Sequence, residues 1–141
     1  MRNELVYLDT NVFIYPVIYE ESVSKKARKA KEVLLRVATK EMEGFTATLT
    51  WDEIVWVTRR VLGDRDAVEQ GKKFLTFPNL NLVTIDSSVI MDAQKIMENY
   101  SLKPRDAIHA SAALVSGQKT VISDDPDFDK VKGLRRTTIS S

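Results

Sequence analysis

Four short strand-like runs, 5–8, 45–49, 80–85 and 119–123, are separated along this chain by stretches with helical spacing. The first, Leu5-Val6-Tyr7-Leu8, is continuously apolar rather than alternating, which marks a strand covered on both faces. Strands joined by helices pair in parallel, because a parallel neighbour is reached only by a crossover long enough to hold a helix. The expected fold class is therefore α/β, a sandwich around a mostly parallel sheet.

The intervening helices have start and stop signals. Thr10 or Asn11 caps a short helix from Val12 to Ile18, with Pro16 as a kink or end. Ser22 or Ser24 opens a longer one reaching about Met42, with Gly44 closing it. Further helices are expected over 50–62, stopped by Gly63, from Asp64 or Asp66 to before Pro78, and from Asp86 or Ser87 to Tyr100. Pro104 suits the first position of a helix that ends at Ser116-Gly117. A short edge strand is expected near Arg136–Ile139. No linker, repeat or low-complexity segment interrupts the 141 residues, which fit a single domain spanning 1–141.

Composition removes several function classes. Cysteine is absent, which excludes disulfides, cysteine-ligated zinc and cysteine–histidine catalysis. One histidine is too few for a ribonuclease that works with two. No nucleophile-elbow motif supports a serine triad. No run approaches the roughly 18 apolar residues of a membrane span. Met1-Arg2-Asn3-Glu4 leads directly into the first strand without a cleavage-site pattern, which points to a cytoplasmic protein. With a net charge of +1, no global field draws the chain to nucleic acid, so an anionic substrate needs local cations.

The positive signal is where four acids fall. Asp9 ends the first strand, Glu53 lies in the first turn after the second, Asp106 lies in the first turn of the Pro104 helix, and Asp125 follows the fourth strand. In an open α/β sheet these positions share the carboxyl edge, where ligands bind. Carboxylates gathered there repel one another unless a cation joins them, and an all-oxygen set suits Mg²⁺ or Mn²⁺ better than zinc. Each acid also has a plainer explanation. Asp9 reads as a helix cap, Thr50-Trp51-Asp52-Glu53 reads as a capping box, and Asp106 suits a helix dipole. The segment Ser123-Asp124-Asp125-Pro126-Asp127-Phe128-Asp129 is rich in turn formers. Asp106 is the hardest to explain away, because it shares a face with Ala110 and Ala113, small residues that pack on the sheet.

These same stretches resemble the PIN domain, in particular the toxin ribonucleases of prokaryotic VapBC toxin–antitoxin pairs. The resemblance rests on Tyr7-Leu8-Asp9-Thr10-Asn11, Thr50-Trp51-Asp52-Glu53-Ile54, the segment 102–110 around Pro104-Arg105-Asp106-Ala107, and the segment 121–128. It covers nearly the whole chain and selects Asp125 as the main fourth acid and Asp127 as an auxiliary one. It implies a three-layer α/β/α fold with parallel strand order 3-2-1-4-5. It also implies Mg²⁺- or Mn²⁺-dependent hydrolysis of single-stranded RNA, a homodimer and a small antitoxin partner. On that reading Asp9, Asp106 and Asp125 hold the metal, and Glu53 holds a second ion or orients the attacking water.

Thr10 and Ser123 stand beside two of the acids, where they either bond to the site or serve as cap and turn residues. Lys103, Arg105, Arg59 and Arg60 are candidate RNA contacts, Arg105 foremost. The basic start of the second helix, Lys25 to Lys31, reads as a solvated face. Trp51, Trp56 and Tyr15 are possible stacking groups, although Trp56 sits among Ile54, Val55 and Val57 as packing residues do. His109, one turn beyond Asp106, reads first as structural and second as a partner of that acid. Other readings of the chain are a processing or quality-control nuclease without antitoxin, a receiver-like signalling domain, and a non-catalytic binding scaffold. An adjacent antitoxin gene tells the first of these from a toxin.

Overall fold

The computed structural model describes residues 4–139. The expectation about how residues 1–3 enter the first strand falls outside that range. The chain begins with β1 (Glu4–Leu8), α1 (Asn11–Ile18), α2 (Lys25–Ala38) and β2 (Met42–Ala47). It continues through α3 (Leu49–Leu62), α4 (Asp64–Leu75), β3 (Leu80–Val83), α5 (Ser87–Tyr100) and α6 (Pro104–Val115). It closes with β4 (Thr120–Ile122), a 3-10 turn (Pro126–Lys130) and β5 (Arg135–Thr137).

The five strands form one sheet in the order β3-β2-β1-β4-β5, and every pairing is parallel. This is the α/β/α sandwich and strand order expected above. It differs from the 2-1-3-4-5 order of receiver-type domains, which removes that reading. Successive strand residues face opposite sides. Val6 and Leu8 therefore join Phe13, Val37, Ile54 and Phe74 in a core beneath α1–α4. Tyr7 and Val121 join Ala93, Ala107, Ala110, Ala113 and Phe128 in a second core beneath α5 and α6. Among the described residues no helix is long and apolar enough to cross a membrane.

Three local expectations change. The second helix stops at Ala38, not near Met42, and Gly44 lies inside β2 rather than ending a helix. The reversal occurs at Lys40, whose backbone adopts φ 66°. Gly44 is instead the point of closest approach between β2 and α2: a Cβ there would lie 2.9 Å from Val37 Cγ2 and 3.3 Å from Leu8 Cδ1. Thr10 leads into α1 but its side chain makes no cap hydrogen bond, whereas Ser24 does cap α2 and Asp86 caps α5. The capping box at Thr50–Glu53 is also absent. Helix α3 begins two residues earlier, after Thr48, which puts Glu53 beyond its first turn, and Thr50 is fully buried.

Candidate active site

Three threonines, two of them buried, show how α3 is seated. Thr46 Oγ1 donates to the carbonyl of Leu8 at 2.8 Å and lies 2.8 Å from Thr50 Oγ1. Thr48 Oγ1 accepts the Ile85 N–H at 3.2 Å, tying the start of α3 to the end of β3. The bonds of Thr46 and Thr50 satisfy hydroxyls that would be costly to bury alone, whereas Thr48 is exposed. They also fix the first turn of α3 against the carboxyl end of β1, so that Glu53 comes to lie beside Asp9 and Thr10.

A cleft of about 200 Å³ opens at this edge, lined by Asp9, Thr10, Asn11, Glu53, Trp56, Arg105, Asp106 and Asp125 among others. The structure thus brings together all four acids singled out from the sequence. Asp9 is held by the protein on both oxygens. Oδ1 accepts the Thr10 N–H at 2.8 Å and Oδ2 accepts the Ser123 hydroxyl at 2.6 Å. Asp125 is oriented from its own turn. Its N–H donates to Ser123 Oγ at 3.0 Å and its Oδ1 accepts the Asp127 N–H at 2.9 Å. Asp124 points elsewhere and accepts the Ile139 N–H at 2.8 Å. Asp106, Asp125 and Asp127 each place a carboxylate oxygen within 4.8 Å of the others. Asp127 also pairs with Lys130 at 3.0 Å.

Glu53 has a different environment. Its Oε1 accepts the Thr10 hydroxyl at 2.9 Å and lies 2.6 Å from His109 Nε2. The imidazole is only 1% exposed, and its Nδ1 lies 2.7 Å from Tyr7 Oη. His109 therefore meets Glu53, Thr10 and Tyr7, and not Asp106 as its spacing suggested. Sequence reasoning left His109 as structural. The one available signal was a lone histidine on the packed face of α6, one turn from an acid.

The ionisation of the cleft follows from these contacts. Burial pushes the Glu53 pKa up, but the bond and charge of His109 and the Thr10 hydroxyl outweigh it and hold the carboxyl below its ordinary value. Burial disfavours the His109 cation, but the Glu53 bond and the charge of Asp9 prevail, so its pKa is raised. Burial raises Asp9, and His109, Ser123 and Thr10 offset only part of the rise. Asp106 is pushed up to about 7, first by burial and then by the charge and hydrogen bonding of Asp125. Glu53 and His109 balance one another, whereas among the described residues no ion pair joins a cation to Asp106 or Asp125. Such a group takes up a proton or a metal ion. Its donors are all carboxylate oxygens, the chemistry that fits a hard divalent cation.

The basic candidates divide as well. Arg105 lines the cleft and lowers the Glu53 pKa through its charge. Lys103, exposed, precedes the first turn of α6 without capping it through its side chain. Arg59 is taken up by Asp64 at 2.6 Å on the exposed surface. Arg60 stacks on Trp56 with its guanidinium 4.6 Å from the ring centre. Trp56, for which packing in the core or at a dimer contact was expected, is 49% exposed and lines the cleft, so it lies outside the core of the chain.

The family model described as the PIN domain matches residues 6–134. The chain belongs to the PIN domain family. Among solved structures, this PIN domain is similar to VapBC of Salmonella typhimurium bound to DNA. That match has a TM-score of 0.70 and 16% identity, and covers 98% of this chain and 99% of that one. It is also similar to the sarcin–ricin loop cleaving toxin VapC20 of Mycobacterium tuberculosis, with a TM-score of 0.69, 15% identity and coverage of 88% and 92%. A toxin–antitoxin complex from Klebsiella pneumoniae matches with a TM-score of 0.65, 18% identity and coverage of 92% and 95%. At these identities the likeness is one of fold. No curated protein sequence matches the chain.

Proposed function

We propose that this PIN domain is a Mg²⁺- or Mn²⁺-dependent endoribonuclease that hydrolyses single-stranded RNA as the toxin of a VapBC-type pair. The observation that carries the reading is the gathering of Asp9, Glu53, Asp106 and Asp125 around one cleft, with Asp106 raised to about 7 for want of a cation. Asp106 and Asp125 are the residues placed to hold the ion, with Asp127 and Asp9 beside them. When bound, the ion supplies the positive charge that admits a phosphodiester to an acidic cleft and makes a water acidic enough to attack phosphorus.

The chain's own residues supply the rest. Glu53, held below its ordinary pKa, accepts a proton from the attacking water and aligns it. Thr10 and Ser123 lock the acids in place, and Arg105 offers a contact to a flanking phosphate. Attack that breaks the P–O3′ bond leaves a 3′-hydroxyl and a 5′-phosphate. The VapBC complexes similar in fold support a small antitoxin as partner, one whose basic side chain would enter the acidic cleft. A homodimer and a cytoplasmic location belong to the same reading.

The test is cleavage of end-labelled single-stranded RNA with Mn²⁺, Mg²⁺ or EDTA. Wild type is expected to cut with either metal and to be silent in EDTA. Asp9→Asn and Asp125→Asn should lose more than the about 10- to 100-fold that removal of an outer partner costs a metal site. Asp124→Asn should stay near wild type, because that side chain serves Ile139. Cleavage that survives EDTA, or an active Asp125→Asn, overturns the proposal.

A further inference from the structure

The contacts around Glu53 carry one step beyond the four acids. Both bonds to its carboxylate go to Oε1, from Thr10 Oγ1 at 2.9 Å and from His109 Nε2 at 2.6 Å. The carboxylate therefore meets the cleft through Oε2. Its orientation is set by an imidazole that lies wholly inside the protein and touches the cleft only through Glu53 and Thr10. On its far side Tyr7, fully buried in β1, places its hydroxyl 2.7 Å from Nδ1, with the two rings edge to face at a centroid distance of 5.8 Å. A hydroxyl can donate to a bare Nδ1 or accept from a protonated one. The neutral tautomer protonated only at Nδ1 would set a bare Nε2 against the Glu53 carboxylate, so the 2.6 Å contact selects a ring with its hydrogen on Nε2, either neutral or doubly protonated.

We infer that His109 is a positioning residue, fixed by Tyr7, whose Nε2–H holds Glu53 so that Oε2 alone works in the cleft. The inference rests on the nuclease reading for what Glu53 does, but not for how Glu53 is held. A ring that acted only as core filling would need no donor 2.6 Å from a carboxylate. Partners of this kind orient the groups at a reacting centre, and their loss costs about 10- to 100-fold in activity.

Two isosteric amides separate positioning from packing. His109→Gln keeps a donor near the Nε2 position, and His109→Asn keeps one near the Nδ1 position while losing the bond to Glu53. The expected result is kcat within about threefold of wild type for Gln and about 10- to 100-fold lower for Asn, with KM for RNA unchanged and similar Tm for the two variants. Equal activity of the two variants, or losses that follow Tm, overturn the inference.

The second arm needs no catalysis. His109 is the only histidine, so its imidazole ¹⁵N resonances are unambiguous. Wild type should show a protonated Nε2 whose shift moves in Glu53→Gln. An unprotonated Nε2, or a spectrum indifferent to Glu53→Gln, contradicts the proposed contact. A wild type inactive on RNA sinks the nuclease reading and leaves this spectrum to decide the role of His109.

Discussion

Asp106 enters the cleft from the first turn of α6, half-buried and facing Asp125, and its carboxyl titrates near 7 instead of 3.8. A carboxyl whose folded-state pKa lies above its unfolded value keeps its proton more tightly in the folded protein. Its stabilising contribution is then complete below the unfolded pKa and is lost as pH rises from about 4 through about 7. The difference of 7 and 3.8, about three units, sets a ceiling near 4 kcal/mol, and solvent screening of a half-exposed group reduces this to about 1–2 kcal/mol. Asp9, also raised, acts in the same direction, and His109 adds to it above about 6.5 because its folded-state pKa is raised too. Glu53 acts oppositely, since its depressed pKa adds stability that disappears only as pH falls below about 4. Urea unfolding in EDTA should therefore show a less stable protein at pH 8 than at pH 5. In Asp106→Asn that difference should shrink by about 1–2 kcal/mol. An unaltered difference would mean that Asp106 is ionised in the folded protein at pH 5 as it is in the unfolded chain.

At the scale of elements, the contact between β2 and α2 turns on Gly44, whose missing Cβ leaves room for Val37. Gly44→Ala puts a methyl 2.9 Å from Val37 Cγ2 and should destabilise the fold by about 1–3 kcal/mol through overpacking. Adding Val37→Ala should recover part of that loss, so that the double variant is less destabilised than the two singles summed. Strict additivity in chemical unfolding would show that the two residues do not press on each other. The same glycine shows where sequence reading stopped. The strands and the carboxyl-edge acids were legible, because buried apolar runs and acids at their ends are local patterns, whereas strand order came from the resemblance to the PIN domain. Gly44 was misread as a helix stop because close approach and a helix terminus both favour glycine, and only tertiary packing tells them apart. Thr50 and Glu53 fit a capping box by spacing, yet Thr46, four positions back on β2, and His109, 56 positions on, took their polar atoms. His109 was opaque for the same reason, with Tyr7 102 positions and Glu53 56 positions away in the chain.

For the molecule as a whole, the cleft is where four separate parts of the chain meet: the end of β1, the N-terminal half of α3 beyond its first turn, the first turn of α6 and the segment after β4. No two of these are close in sequence, so this arrangement of acids exists only in the folded state. A cation that binds there stabilises the whole fold by mass action, by about 2.7 kcal/mol at 100 times its Kd. For a chain between the 100- and 150-residue classes that corresponds to a rise in Tm of roughly 5–15 °C. Because the ion and the proton compete for Asp106, the rise should be larger at pH 8 than at pH 5, and Mn²⁺ should shift the midpoint of Asp106 titration downward. Differential scanning calorimetry with and without Mn²⁺ reads both effects. Asp125→Asn should abolish most of the rise while Asp124→Asn, whose carboxylate serves the Ile139 N–H and Tyr15, should keep it at a lower baseline Tm. An equal Mn²⁺ response in the two variants would place the ion outside the cleft, even if the protein cleaves RNA.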